Sequence, residues 1–336
     1  MYLLDQKVPI TYQRVRDLRR NAEVPLMTYL ALQQPRQMDE GLLRRVLKGL
    51  SCRNYEACAE KIPEAFGLKP SSVSRRFIRA SARKLQELQE RRLESYEIVV
   101  LILDGKTFAE DEMVIALGVT VEGKKVILGF VETATENKQV CAAFLRELVA
   151  RGLRYEDGLL VVIDGSKGLR QAVKEVFGDG AQIQRCQWHK RENVVSYLPK
   201  GQQAIWRAKL QQAYEKPTYE EAKAALERIH RELRVINESA ARSLLEGLEE
   251  TLTLHRLGLA KELGQSLKTT NVLESIMAQV ERRVGRVDRW RNSNQKHRWL
   301  ATALLDIEPR LNRIKGYRAL PRLRAALRAT ARKEVA

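Results

Sequence analysis

Asp104 and Asp164 are the residues best placed for chemistry. Each ends an apolar run and is followed by glycine: Val99-Val100-Leu101-Ile102-Leu103 leads into Asp104-Gly105, and Leu159-Leu160-Val161-Val162-Ile163 into Asp164-Gly165. Short β-branched runs without polar alternation predict strands buried on both faces, as in a parallel sheet centre. Parallel neighbours would bring the two carboxylates side by side. Such a pair repels itself and needs a cation or a shared proton. Carboxylate oxygens are hard ligands suited to Mg²⁺ or Mn²⁺. The same residues also fit two unrelated strands that end in ordinary Asp-Gly turns.

A third acid, Glu274, lies on a predicted helix over 271–284. Its apolar stripe is Val272, Leu273, Ile276, Val280 and Val284, and Glu274 falls just outside it. From there it can point into a cleft, or cap its own helix with Asn271. Cys186 and His189 offer two zinc-type ligands where a structural zinc site takes four, so no zinc is expected. The expected roles are a buried small residue for Cys186 and a place near the acids for His189. Neither a Gly-x-Ser-x-Gly nucleophile elbow nor a glycine-rich phosphate loop occurs.

A second group of residues suits nucleic acid. Ser72, Ser74, Arg75, Arg76, Arg79 and Arg83 share a predicted helix that opens near Pro70, after a turn at Gly67 and a short helix expected over 55–66. Helix, turn and Ser/Arg-rich helix make a helix-turn-helix pattern, which many surface helices also mimic. Arg286, Arg289 and Arg291 surround Trp290, which either packs or stacks on an unpaired base. With 60 Lys+Arg against 42 Asp+Glu, the net charge of +18 points to a polyanionic partner. Nucleic acid is favoured over a membrane, because no segment approaches the roughly 20 apolar residues that span one. The charged start predicts no signal peptide, and four cysteines without a C-x-x-C pair fit a reduced cytosolic chain.

These residues imply positioning elements. A weak alternation over 7–14 predicts an edge strand within an extended segment or hairpin, 1–39. Residues 40–95 form the helix-turn-helix region. A strand to Asp104, a hairpin about Glu122-Gly123-Lys124, a helix over 140–153, a strand to Asp164, a helix over 167–177 and a strand over 182–186 give the order β-β-β-α-β-α-β. Residues 195–266 read as almost wholly helical, with helices at 202–214, 219–234 and 239–254, a helical insertion between 96–194 and 267–305. Its Arg207, Lys209, Lys216, Lys223, Arg228 and Arg231 are candidates to follow phosphates, although interleaved acids fit a solvated face equally. A basic helical tail, 306–336, closes the chain.

The stretches Val100 to Gly105, Val162 to Leu169, Gln184-Arg185-Cys186-Gln187-Trp188-His189-Lys190 and Thr269-Thr270-Asn271-Val272-Leu273-Glu274-Ser275 occur in that order. In this the chain resembles the Mutator-type insertion-sequence transposases of bacteria, a DDE group with a ribonuclease-H-like core. The resemblance implies an α/β fold with a mixed sheet and a metal-binding triad of Asp104, Asp164 and Glu274 holding two Mg²⁺ or Mn²⁺ ions. It implies double-stranded DNA partners, the element's terminal inverted repeats and its target, with a homodimer assembled on DNA in the bacterial cytoplasm and nucleoid. Lys-Arg-Glu-Asn-Val at 190–194 and Lys138 depart from the family pattern and suggest a divergent subgroup. The region before the helix-turn-helix is short for the family, which suggests a truncated frame. Two alternatives stand beside it: a catalytically silent DNA-binding derivative, and a structure-specific nuclease on the same fold.

Overall fold

In the computed structural model, which describes residues 2–3, 6–32, 36–59, 62–134 and 137–335, the buried apolar runs become the middle of a mixed five-stranded sheet. The meander β5 (Ile98–Phe108), β6 (Asp111–Thr120) and β7 (Lys125–Thr133) is antiparallel, with Gly123 at φ +83° turning the second hairpin. Parallel strands β8 (Leu159–Ile163) and β9 (Ala181–Arg185) follow, in the spatial order β7-β6-β5-β8-β9. This is an α/β arrangement compatible with a ribonuclease-H-like core. Helices Lys138–Ala150 and Lys167–Phe177 begin at side-chain caps from Asn137 and Ser166. Their apolar faces pack on Leu101, Leu103, Val161 and Ile163 in one core. Because side chains alternate along a strand, Asp104 and Asp164 belong to the opposite face.

One expectation about β5 needs correction. It does not stop at Asp104-Gly105 but continues to Phe108, because its antiparallel partner β6 keeps pairing: Asp104 lies opposite Ile115 and Lys106 opposite Met113. The onset of polar residues marks a change of environment there, not the strand end.

After β9 the described residues through Leu267 hold helices only, among them Gln187–Ser196, Lys200–Tyr214 and Tyr219–Ile236. Their apolar faces close a separate core around Trp206, Leu226 and Leu244. The single helix expected over 239–254 is three: Glu238–Leu245, Leu248–Thr251 and Thr253–Arg256. Gly247, at φ +67°, breaks the run.

The chain divides into two compact units: residues 1–87 with 279–306, and residues 88–278 with 307–336. The sheet belongs to the second. In the first, two short hairpins pair β1 (Tyr2–Leu3) with β2 (Gln6–Lys7) and β3 (Val15–Asp17) with β4 (Ala22–Val24), so residues 8–14 are not the strand expected there. Helix Pro70–Gln89 forms as read from sequence. The helix expected over 55–66 does not: among its described residues only the 3-10 turn Glu56–Cys58 is helical. Pro63 and a left-handed Glu64 (φ +60°) are incompatible with a continuing helix. Val73, Phe77 and Ala80 bury one face of Pro70–Gln89 against Leu42, Val46 and Leu47. No helix among the described residues is long and apolar enough to cross a membrane.

Candidate active site

The β5–β8 register pairs Val100 with Leu160 and Ile102 with Val162; Asp104 lies two residues further along β5, and Asp164 is the first residue after β8. Neighbouring strands run about 4.8 Å apart. Asp104 is only 1% exposed. Burial, abetted by the Asp164 charge, pushes its carboxyl up to about 7, although Lys106 and Thr270 pull it down. Asp164 is half-buried where β8 gives way to helix Lys167–Phe177, and its Oδ1 accepts a hydrogen bond from the Ser166 amide at 3.0 Å. Between them Gly165, at φ +119°, has the Arg185 guanidinium where a Cβ would go. At that φ the glycine of the Asp-Gly dipeptide is a backbone requirement as well as a turn signal.

Glu274 sits in the first turn of helix Asn271–Val284, with Leu273, Ile276 and Met277 buried beside it. Lys106 draws it to the sheet. The Lys106 ammonium lies 2.9 Å from Asp104 Oδ2 and 3.4 Å from Glu274 Oε1. Burial works against that charge, but the two carboxylates outweigh it and hold the ammonium above the usual lysine range. Among the described residues Asp104 Oδ2 finds no donor at hydrogen-bond angles, so the ammonium is its cation without being a full hydrogen-bond partner. Nor are any three His, Cys, Asp or Glu among the described residues drawn together tightly enough to form a ready metal cage.

Cys186 follows β9 as the N-cap residue of helix Gln187–Ser196 and is fully buried, with the Thr270 hydroxyl donating to its Sγ at 3.9 Å. One turn on, His189 faces the acids. Burial opposes its positive charge, yet the Cys186 sulfur and the Asp164 carboxylate raise its pKa overall. Trp188, 39% exposed, meets the His189 ring edge-on. Sequence reasoning missed Lys106 and Thr270. Lys106 was within reach of it, because a residue two beyond Asp104 on a strand shares its face.

The arginine-rich residues lie in the other unit. Arg75, Arg79 and Arg83 are exposed at four-residue spacing along Pro70–Gln89, while Ser72 and Ser74 are half-buried. Arg76 is 9% exposed and belongs to the packed side. Arg286, Arg289 and Arg291 are exposed, and the Arg286 guanidinium donates to the Gly49 carbonyl at 3.3 Å. Trp290 is half-buried and edge-on to Trp299, with ring centroids 6.2 Å apart. Beside them a cleft of about 600 Å³ is lined by Arg53, Ser74, Phe77, Arg289, Arg291 and Trp299, among others.

Comparison by sequence gives the family of the chain. The model of the Mutator family of transposases matches residues 27–312. The transposase for insertion sequence element IST2 of Acidithiobacillus ferrooxidans is 31% identical over 232 residues, covering 66% of this chain and 76% of that protein. The transposase for IS905 of Lactococcus lactis is 26% identical over 279 residues, covering 80% and 68%. The transposase for IS256 in transposon Tn4001 of Staphylococcus aureus is 26% identical over 280 residues, covering 79% and 69%. With the family match running across most of its length, the chain belongs to the Mutator family of transposases.

Proposed function

We propose that the chain cuts and joins DNA at the ends of an insertion sequence, with Asp104, Asp164 and Glu274 as the catalytic acids. The observation that carries the reading is the convergence of Asp104 and Glu274 on one cation, with Asp164 near enough for its charge to act on Asp104. The donor set fits divalent metal: three hard carboxylates, one of them with a buried oxygen that lacks a proper donor. When bound, Mg²⁺ or Mn²⁺ ions supply charge neutralisation at the phosphodiester and acidify the attacking hydroxyl. The chain's own part is geometric. β5 carries Asp104, the end of β8 is followed by Asp164, and the first turn of helix 271–284 brings Glu274 to the ammonium it shares with Asp104. Water or a DNA 3′-hydroxyl would be the attacking group, so no protein nucleophile is required. His189 is near enough to Asp164 for their charges to interact, so it can act on the acids electrostatically. The Cys186 sulfur accepts from the Thr270 hydroxyl, which gives Cys186 a role other than zinc ligation.

The partner is double-stranded DNA, the terminal inverted repeats and the target, bound as a homodimer in the bacterial nucleoid. In this reading Pro70–Gln89 is the recognition helix of a helix-turn-helix-like region within 40–95, and Arg75, Arg79 and Arg83 form its contact row. Arg286, Arg289, Trp290 and Arg291 form a second DNA surface, residues 96–194 and 267–305 the catalytic domain, and 195–266 a helical insertion. The test is incubation of the full chain with Mn²⁺ and duplexes carrying the host element's ends. Strand transfer is expected from the wild type and lost in Asp104→Ala, Asp164→Ala and Glu274→Gln, with end binding kept. Transfer at the wild-type rate by Glu274→Gln would restore Glu274 to a helix cap.

A further inference from the structure

Lys106 occupies the place where the acids most need a positive charge. Asp104 is 1% exposed, and Glu274 and Asp164 add negative charge nearby. Without a cation such a cluster repels itself. The Lys106 ammonium bridges Asp104 and Glu274 at 2.9 and 3.4 Å. It reaches them only because β5 runs past Asp104 and keeps the two-residue alternation.

The contact is of a kind that can be given up. An ammonium on a four-carbon stem is a mobile point charge, unlike the rigid fork of arginine. The Lys106 side chain is 22% exposed and that of Glu274 40%, so the bridge faces an open side. A protonated amine has no lone pair to offer a metal. It repels any dication that approaches the same two oxygens.

We propose that Lys106 is a positioning residue that acts as a stand-in cation, holding Asp104 and Glu274 together in the metal-free protein and competing directly with the divalent ion for them. The inference rests on the three acids being the metal site. Loading the site then requires the ammonium to leave, so the free protein binds divalent metal weakly by construction.

Calorimetric titration of the full chain with Mn²⁺, without DNA, tests this. Lys106→Met and Lys106→Gln remove the charge at similar length, and Lys106→Arg keeps it. Both neutral variants should bind Mn²⁺ roughly ten-fold more tightly than wild type, equivalent to about 1.4 kcal/mol. In EDTA they should melt lower than wild type, and Mn²⁺ should restore them. Lys106→Arg should resemble wild type in both measurements. A merely structural lysine would give lower melting with unchanged or weaker Mn²⁺ binding in the neutral variants, which overturns the proposal. Asp104→Asn separates the two levels: if it abolishes Mn²⁺ binding while Lys106→Met fails to tighten it, only the role of Lys106 falls. If Mn²⁺ binding is indifferent to Asp104→Asn, the acid assignment falls and the proposal with it.

Discussion

Lys190 shows at the residue scale how much the protein commits to fixing one helix. It is fully buried in Gln187–Ser196, one residue past His189, and its ammonium donates to the Ser243 carbonyl at 2.6 Å. Burial and the nearby Arg185 push its pKa down to about 8, against the partial support of Glu246 and Glu250. A lysine lowered on folding means that the unfolded chain binds more protons between about pH 8 and its ordinary value near 10.4. Stability therefore rises with pH across that window, and the penalty is fully present below it. Lys190→Met is expected to raise the melting temperature at pH 7.5 and to flatten the rise between pH 8 and 10, read from thermal melts in the two variants. A lower melting temperature at pH 7.5 would mean that the bond to Ser243 outweighs the desolvation. None of this is legible in the sequence, where Lys190 sits among charged neighbours and reads as surface. Asp104 and Asp164 stand out in the sequence because each acid follows an apolar run, although β5 continues past the first of them. Glu274 was not decided by its spacing, because helix-cap and cleft positions coincide in the first turn.

At the scale of elements, periodicity was read best where one side of the pattern is apolar and uninterrupted. The five strands, the hairpin at Gly123 and helix 271–284 all follow from it. It failed where a single backbone position overrides composition. Pro63 and Glu64 replace a helix by a turn, and Gly247 divides another. In Pro70–Gln89 the apolar positions Val73, Phe77 and Ala80 recur every three or four residues, and Phe77 lies against Trp299 with ring centroids 4.6 Å apart. That contact anchors the helix carrying Arg75, Arg79 and Arg83. Phe77→Ala is expected to cost about 3 kcal/mol, the low end for a buried phenylalanine. Chemical denaturation measures it, and a loss below about 1 kcal/mol would show that Trp299 does not anchor the helix. Arg76, packed on the same side, should behave alike: Arg76→Ala lowers stability more than DNA affinity.

For the whole molecule, the +18 charge is unevenly spread, and this decides where DNA should lie. The unit formed by residues 1–87 and 279–306 carries 24 Lys+Arg against 12 Asp+Glu, whereas the larger unit carries 36 against 30. Residues 195–266 are nearly balanced, with 11 basic against 10 acidic side chains. Three of their cations are engaged: Arg207 with Glu192 at 2.9 Å, Lys209 with Glu232 at 2.6 Å and Lys223 with Glu249 at 2.8 Å. A paired lysine has already lost part of the field that attracts phosphate, so a solvated, scaffolding surface is the better account of these helices. Each phosphate contact contributes about 0.9 to the slope of log affinity against log salt. Replacing Arg75, Arg79 and Arg83 together by alanine should therefore lower that slope by about 3 for any duplex, since three released contacts are lost. The matching triple at Arg207, Lys209 and Lys223 should change it by less than about 1, because those side chains answer to carboxylates. Fluorescence anisotropy with a labelled duplex from 50 to 300 mM NaCl separates the two. Equal changes in both triples would extend the DNA path over the helical region and return its basic residues to a direct role.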